Sequence, residues 1–141
     1  HGTEWYNDSI ATAPERTIAA IRAFVDTSLI LLLGGKDKDL PWDELARLAH
    51  QRVCHVVIFG AAAAKIEQAL NVPQTASQLE SITRVKTCQE AVLAASKLAK
   101  PGFTVLFSPG GTSYDEFKDF EERGERFKQW VLEFSEKAPK A

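Results

Sequence analysis

The stretch SLILLLGG, residues 28–35, decides the fold of this 141-residue chain. A continuous apolar run that stops at a glycine pair is typical of a central strand that helices cover on both faces. Comparable apolar runs occur at Cys54–Phe59 (CHVVIF) and Phe103–Phe107 (FTVLF). Two shorter patterns, Glu4–Asn7 and Ser81–Val85, complete the predicted strands.

Segments with apolar residues at helical spacing separate these strands. The first opens at Thr12–Glu15 (TAPE) with a capping hydroxyl and a proline, after which Ile18, Ile21 and Val25 share one face. Further helices are predicted to open near Leu40, Ala61, Thr87 and Phe120. This alternation predicts an α/β, Rossmann-like three-layer domain, whose mostly parallel sheet has about five or six strands flanked by helices.

The length and the 45% hydrophobic composition are those of one domain with a sizeable core. The chain begins with His1-Gly2 and contains no methionine, which indicates a segment of a longer protein. We expect residues 1–2 to be an expression-tag remnant, residues 3–135 to form the domain, and residues 136–141 to be a frayed tail.

Charge, hydropathy and cysteine usage restrict the partners. The formal net charge is −2 and the basic residues are spread along the chain, so we expect no nucleic-acid partner. No apolar run approaches the roughly 20 residues that cross a bilayer, so we expect no membrane partner. Cys54 and Cys88 do not suggest a secreted disulfide framework, which favours two buried or half-buried thiols in a cytoplasmic protein.

Polar residues collect in three loops that follow predicted strands. These residues are Asp8, Ser9 and Thr12, then Lys36, Asp37 and Lys38, and finally Ser108, Thr112 and Ser113. Because parallel strands end along one edge, the three loops can face one crevice. Lysines, hydroxyls and helix-start amides together suit a carboxylate or a phosphate. The alternatives are a solvated KDKD turn and an ordinary strand-to-helix turn.

Several sequence patterns of catalysis and cofactor binding are absent. The chain has no G-x-x-x-x-G-K-[ST] loop for nucleotide phosphates, no G-x-G-x-x-G and no G-x-S-x-G. His1, His50 and His55 are scattered along the chain. We therefore expect no catalytic triad and no metal site.

Three motifs carry a resemblance to a known family. YNDSIAT (Tyr6–Thr12), LLLGGKDK (Leu31–Lys38) and LFSPGGTSYDEFKDFEERGERF (Leu106–Phe127) resemble the C-terminal domain of the Mur ligases, most closely that of the branch that adds glutamate. The similarity runs from about Glu4 to Val131. Its last motif, S-P-x-x-x-S followed by D-x-F-K-x-F-E-x-R-G-x-x-F, is specific.

The resemblance implies the third domain of a bacterial, cytoplasmic, ATP-dependent ligase of peptidoglycan precursor synthesis. In that family one domain binds UDP-N-acetylmuramoyl-L-alanine, and a central P-loop domain binds ATP and Mg²⁺. The C-terminal domain brings glutamate and closes over ATP. ATP phosphorylates the substrate carboxylate, and the glutamate amine attacks the acyl phosphate. Because the P-loop lies elsewhere, the isolated domain is expected to be inactive.

The resemblance also implies roles for individual residues. By matching position, the glutamate-binding residues are Thr12, Lys38, Ser113, Tyr114 and Phe120. Lys38 is the implied charge partner of a carboxylate, and Asp8 is the implied contact to ATP, where its carboxylate suits a ribose hydroxyl. None of these residues transfers a proton, so the domain contributes orientation and electrostatics to the reaction.

The chain departs from the family pattern in its first loop. The family commonly has D-S-K-A-T-N where Asp8–Ala13 read DSIATA, so Ile10 and Ala13 replace a lysine and an asparagine. It also commonly has S-P-A-C-A-S at Ser108–Ser113. The choice between D- and L-glutamate therefore stays open. The alternatives are a matching domain of another Mur enzyme or of folylpolyglutamate synthetase, and a non-catalytic α/β binding module.

Overall fold

The computed structural model describes residues 2–135 and 139–140. Ten elements alternate along this part of the chain as predicted. They are β1 (Glu4–Asn7), α1 (Pro14–Arg22), β2 (Ser28–Gly34), α2 (Asp43–Arg52), β3 (His55–Phe59), α3 (Ala63–Leu70), β4 (Ser81–Arg84), α4 (Cys88–Leu98), β5 (Phe103–Gly110) and α5 (Phe120–Ser135).

The five strands form one parallel sheet in the order β1-β5-β2-β3-β4. The apolar run quoted first becomes β2, which pairs with β5 on one side and with β3 on the other. All residues from Leu29 to Gly34 are buried. The central position predicted for this strand is confirmed.

Helices cover both faces of the sheet and divide the core in two. On one face α1, α2 and α3 pack against buried side chains of the strands, including Leu31, Val56 and Leu106. On the other face α4 and α5 cover Ile30 and Phe107 among others. The α/β three-layer arrangement is confirmed.

The direction in which the chain leaves β5 makes that strand a switch point of the sheet. The helices that follow β1 and β2 lie on one face, whereas α5, which follows β5, lies on the opposite face. Since β5 sits between β1 and β2, the helix that follows β5 lies on the opposite face of the sheet from the helices that follow its two neighbours. Open parallel sheets bind ligands at such switch points.

Three local predictions were wrong. β5 continues to Gly110 instead of ending at Phe107. Thr12 does not cap α1, because the N-cap residue is Ala13, which makes no side-chain capping bond. Val25 lies beyond the end of α1 and is 71% exposed, so it does not join the packed face.

The predicted thiols are confirmed: Cys54 is half-buried, Cys88 is buried, and both are free. Burial raises the pKa of the Cys88 thiol well above its usual range. No helix in the described ranges has the length and apolar character needed to span a membrane.

The predictions for the chain ends fall largely outside the described residues. His1 of the expected tag remnant, and residues 136–138 and 141 of the expected tail, are not described. Lys140 forms a parallel bridge with Tyr6. The division into remnant, domain and frayed tail stays a prediction.

Candidate functional site

The loops after β1, β2 and β5 meet at the carboxyl edge of the sheet. Lys36 and Thr112 exchange two backbone hydrogen bonds of 2.8 Å, which join the loop after β2 to the loop after β5. The Gly110 amide donates to the Ala11 carbonyl at 2.8 Å, which joins the end of β5 to the loop after β1. The three loops singled out in the sequence therefore form one continuous surface.

Asp8 follows β1 and is half-buried. Its Oδ2 accepts a 2.7 Å hydrogen bond from Ser108 Oγ, a hydroxyl that is fully buried in β5 and not in a loop as predicted. Burial raises the pKa of the Asp8 carboxyl, although the Ser108 bond and the positive charge of Arg16 oppose the shift. Ser108 thus holds the Asp8 carboxylate in place through one of its two oxygens.

Lys38 and Thr12 come together from different loops. Lys38 is exposed, and its Nζ donates to Thr12 Oγ1 at 3.4 Å. The Thr12 hydroxyl therefore faces the loop after β2, and no side chain caps the first turn of α1. An ammonium and a hydroxyl at one point suit a carboxylate ligand.

Asp37, between the two loop lysines, has a structural role. Its carboxylate accepts from Trp42 Nε1 at 3.2 Å and from Lys65 Nζ at 2.6 Å. Burial alone would raise the pKa of Asp37, but the hydrogen bonds from Lys65 and Trp42 outweigh it and lower the pKa. These bonds anchor the loop on α2 and α3. Lys38 takes no part in them and contacts Thr12 instead.

The loop after β5, residues 111–119 and here named the crossing loop, contacts loops across the sheet. Beyond the Thr112 bridge, Asp115 Oδ2 accepts from the Ala61 amide at 2.9 Å, next to the start of α3. Glu116 accepts from the Cys88 amide, the first of α4, at 3.1 and 3.2 Å. The two carboxylates of the crossing loop thus accept hydrogen bonds from backbone amides at or next to the starts of two helices.

Ser113 and Tyr114 lie near the start of the crossing loop and differ in exposure. Ser113 is 1% exposed, and its carbonyl accepts from the Phe117 amide at 2.8 Å. Tyr114 is 67% exposed. A serine fixed by its own backbone and an adjacent exposed phenol supply one buried and one accessible group at this edge.

Phe120, the first residue of α5, joins the crossing loop to the loop after β1. Its carbonyl accepts from Ser9 Oγ at 2.7 Å. The same Ser9 accepts two hydrogen bonds from Arg123, at 3.0 Å to Oγ and 2.7 Å to the carbonyl oxygen. Arg123 also donates to the Gly111 carbonyl at 3.0 Å. All of the predicted glutamate and ATP residues therefore lie on loops that contact one another or, for Phe120, at the first residue of α5.

The described residues contain no group of three or more His, Cys, Asp or Glu side chains placed to hold a metal ion. Asp8 is the acidic residue predicted to contact ATP, and its carboxylate accepts one hydrogen bond, from Ser108. This donor set does not fit Mg²⁺, which takes several oxygen ligands.

The chain matches the family described as Mur ligase, glutamate ligase domain, over residues 1–111. The chain belongs to this family. Since the match covers more than half of the chain and includes β1 to β5, the resemblance seen in the sequence motifs is confirmed.

Curated relatives of this Mur ligase domain extend the match past residue 111. All three compared here are named UDP-N-acetylmuramoylalanine–D-glutamate ligase. The chain is 42% identical to that of Acetivibrio thermocellus, 39% to that of Aquifex aeolicus and 37% to that of Clostridium botulinum, each over 134 residues. The alignments cover 93–94% of the chain but only 28–30% of the relatives, so the chain spans less than a third of their length.

Two positions of the Mur ligase domain that depart from the common pattern differ in their surroundings. Ile10 is 51% exposed and lines a groove of about 500 Å³ between β1 and α1, together with Asp8 and Arg16. Ala13 is 7% exposed and is the N-cap of α1, where an asparagine would offer a capping oxygen. The departure expected at Ile10 thus falls on the surface, and the one expected at Ala13 falls at a helix N-cap that has no side-chain bond.

Arg123 lies within the last sequence motif, but the resemblance implied no role for it. A signal was present, because Phe120, Arg123, Phe127 and Trp130 recur at spacings of three and four and therefore share the apolar face of α5. An arginine on that face must be buried. The structure shows it fully buried, with its guanidinium between the two loops.

Proposed function

We propose that the chain is the amino-acid-binding domain of a bacterial, cytoplasmic, ATP-dependent ligase that adds glutamate to UDP-N-acetylmuramoyl-L-alanine. The observation that carries the proposal is a match along 93% of the chain to relatives named for this reaction, with Lys38 and Thr12 in contact at the expected edge. The product would enter peptidoglycan precursor synthesis.

In this proposal the glutamate site is formed by the carboxyl-edge loops. The Lys38 ammonium is the charge partner of a glutamate carboxylate, and Thr12 and Ser113 add hydrogen bonds. Tyr114 and Phe120 supply the neighbouring ring surfaces. Support comes from the backbone bridge between Lys36 and Thr112, which holds the Lys38 and Ser113 loops together.

Asp8 is the proposed contact to a ribose hydroxyl of ATP. Support comes from its carboxylate, which has a fixed orientation through Ser108 and lines the groove between β1 and α1. ATP with Mg²⁺, bound mainly by the other domains of the ligase, supplies the phosphoryl group that activates the substrate carboxylate. This domain orients glutamate so that its amine forms the C–N bond as inorganic phosphate leaves.

Kinetics of the full-length ligase test the proposal. With ATP and UDP-N-acetylmuramoyl-L-alanine supplied, D-glutamate and L-glutamate are compared as substrates, and the 141-residue chain alone serves as the inactive control. We expect turnover with glutamate by the full-length protein and none by the chain. The isomer that reacts settles the specificity left open by Ile10 and Ala13. Turnover with neither isomer would overturn the proposal and favour another amide ligase or a non-catalytic module.

A further inference from the structure

Arg123 is a buried cation that forms no salt bridge with the described residues. Its side chain is fully buried in α5, and none of the ion pairs among the described residues includes it. Burial lowers the pKa of the guanidinium to about 10, so it stays protonated at neutral pH. A buried charge is costly unless it is hydrogen-bonded, so its partners define what it does.

All three hydrogen bonds of Arg123 go to neutral oxygens on two loops. Nε donates to Ser9 Oγ at 3.0 Å and Nη2 to the Ser9 carbonyl at 2.7 Å, in the loop after β1. Nη1 donates to the Gly111 carbonyl at 3.0 Å, at the start of the crossing loop. One planar group therefore fixes the separation of the loops on either side; we call this arrangement the Arg123 bracket.

The surroundings of the bracket require the shape of arginine. A Cβ added to Gly35 would lie 3.0 Å from Nη1, and one added to Gly124 would lie 3.3 Å from the Ser9 Cβ. The guanidinium thus lies against Gly35, whereas a Cβ at Gly124 would crowd Ser9, the partner of the guanidinium. A lysine ammonium has one nitrogen and cannot reach both loops in this fixed geometry.

We propose that Arg123 is a positioning residue of the amino-acid site, which acts through Ser9 and Gly111 to hold the loop of Asp8 and Thr12 at a fixed distance from Ser113. The proposal rests on the proposed function for the identity of the ligand. Arg123 is fully buried and its hydrogen bonds go to Ser9 and Gly111, so it acts on the site through these two residues.

The test compares Arg123→Lys and Arg123→Met in the full-length ligase. Arg123→Lys keeps the charge and loses the bracket. Both variants are expected to raise KM for glutamate roughly 10- to 100-fold, because small misplacements of binding groups have large effects. KM for the UDP-sugar substrate should not change. The matched control is Arg52→Lys, since Arg52 donates to the Phe24 carbonyl away from this edge.

Each outcome has one meaning. Wild-type KM for glutamate in Arg123→Lys would show that charge alone matters and would overturn the proposal. A fall in kcat with unchanged KM would show a purely structural role and would also overturn it. If the Arg123 variants do not fold, Ser9→Ala removes one oxygen of the bracket, and a several-fold rise in KM is expected; an unchanged KM overturns the proposal.

A second measurement separates this proposal from the proposed function. If the wild-type ligase does not use glutamate, the proposed function fails, and amide hydrogen exchange in the 141-residue chain still tests the bracket. Arg123→Lys should speed exchange at Ala11 and Gly110, whose amides bond within and between the bracketed loops, and should leave Val57 in β3 unchanged. Equal exchange at Ala11 and Gly110 in both proteins would overturn the bracket.

Discussion

The loop after β2 and the crossing loop lie side by side but are built differently. Lys36 and Lys38 are exposed, and Lys38 has a single 3.4 Å contact to Thr12. In the crossing loop, Ser113 is buried and the flanking residues bond to backbone amides of neighbouring loops. The difference teaches that the charge proposed to bind glutamate can sit on an exposed side chain, whereas the buried Ser113 belongs to a framework that also contributes to stability. This framework consists of the hydrogen bonds of the crossing loop and its packing on α5.

The largest effect on stability is expected where the framework joins the core. Trp130 is 6% exposed, and its ring lies 6.3 Å from that of Phe117 in the crossing loop. Trp130→Ala should lower the free energy of unfolding by about 3–5 kcal/mol, the cost of deleting a buried aromatic. Urea denaturation measures it.

The matched control for Trp130→Ala is Tyr114→Ala, which removes an exposed aromatic from the same region. Its effect should stay within about 0.5 kcal/mol. If the two substitutions cost the same, the proposed division between framework and accessible surface is wrong.

A smaller loss is expected where the crossing loop meets α4. Glu116→Ala removes the carboxylate that accepts from the Cys88 amide, and should cost about 1 kcal/mol because that amide loses its partner. Thermal or urea unfolding checks the value. Glu80→Ala, at an exposed position, is the control and should be neutral. A neutral Glu116→Ala would mean that the Thr112 bridge, the Asp115 bond and the packing of Phe117 hold the crossing loop without the contact to α4.

The smallest effect on stability is expected in the other loop. Lys38→Ala should change the free energy of unfolding by less than about 0.5 kcal/mol, since an exposed lysine contributes little. In the full-length ligase it should abolish measurable glutamate binding, while Lys97→Ala on α4 leaves it unchanged. Calorimetric titration with glutamate distinguishes the two. A Lys38→Ala protein that fails to fold would show that Lys38 is needed for the stability of the domain, contrary to this prediction.

The fold was predictable because buried parallel strands are written locally as apolar runs. β1 matched its predicted range, and β2 continues only one residue past the apolar run, to Gly34. The end of β5 was missed because Pro109 and Gly110 are turn formers by local rules, while the pairing of Gly110 with Gly34 is a long-range contact. Sequence periodicity carries no information about that pairing.

The candidate site was predictable in part and for a different reason. The polar strand-end loops could be placed at one edge, since parallel topology fixes that edge, and the structure joins them there. The roles of Thr12 and Lys38 came from family resemblance and remain proposals. The bonds of Asp115 and Arg123 join residues more than 50 positions apart or across two loops, so no local pattern could reveal them.

One feature at the side of the sheet bears on how the protein behaves among its own copies. β1 is one of the two edge strands, and the backbone of Lys140 pairs along it, accepting from the Asn7 amide at 2.7 Å and donating to the Trp5 carbonyl at 2.6 Å. Uncovered strand edges are templates for self-association. The Lys140 rung occupies that template and adds a charged side chain beside it, so it protects this side of the sheet against edge-to-edge aggregation.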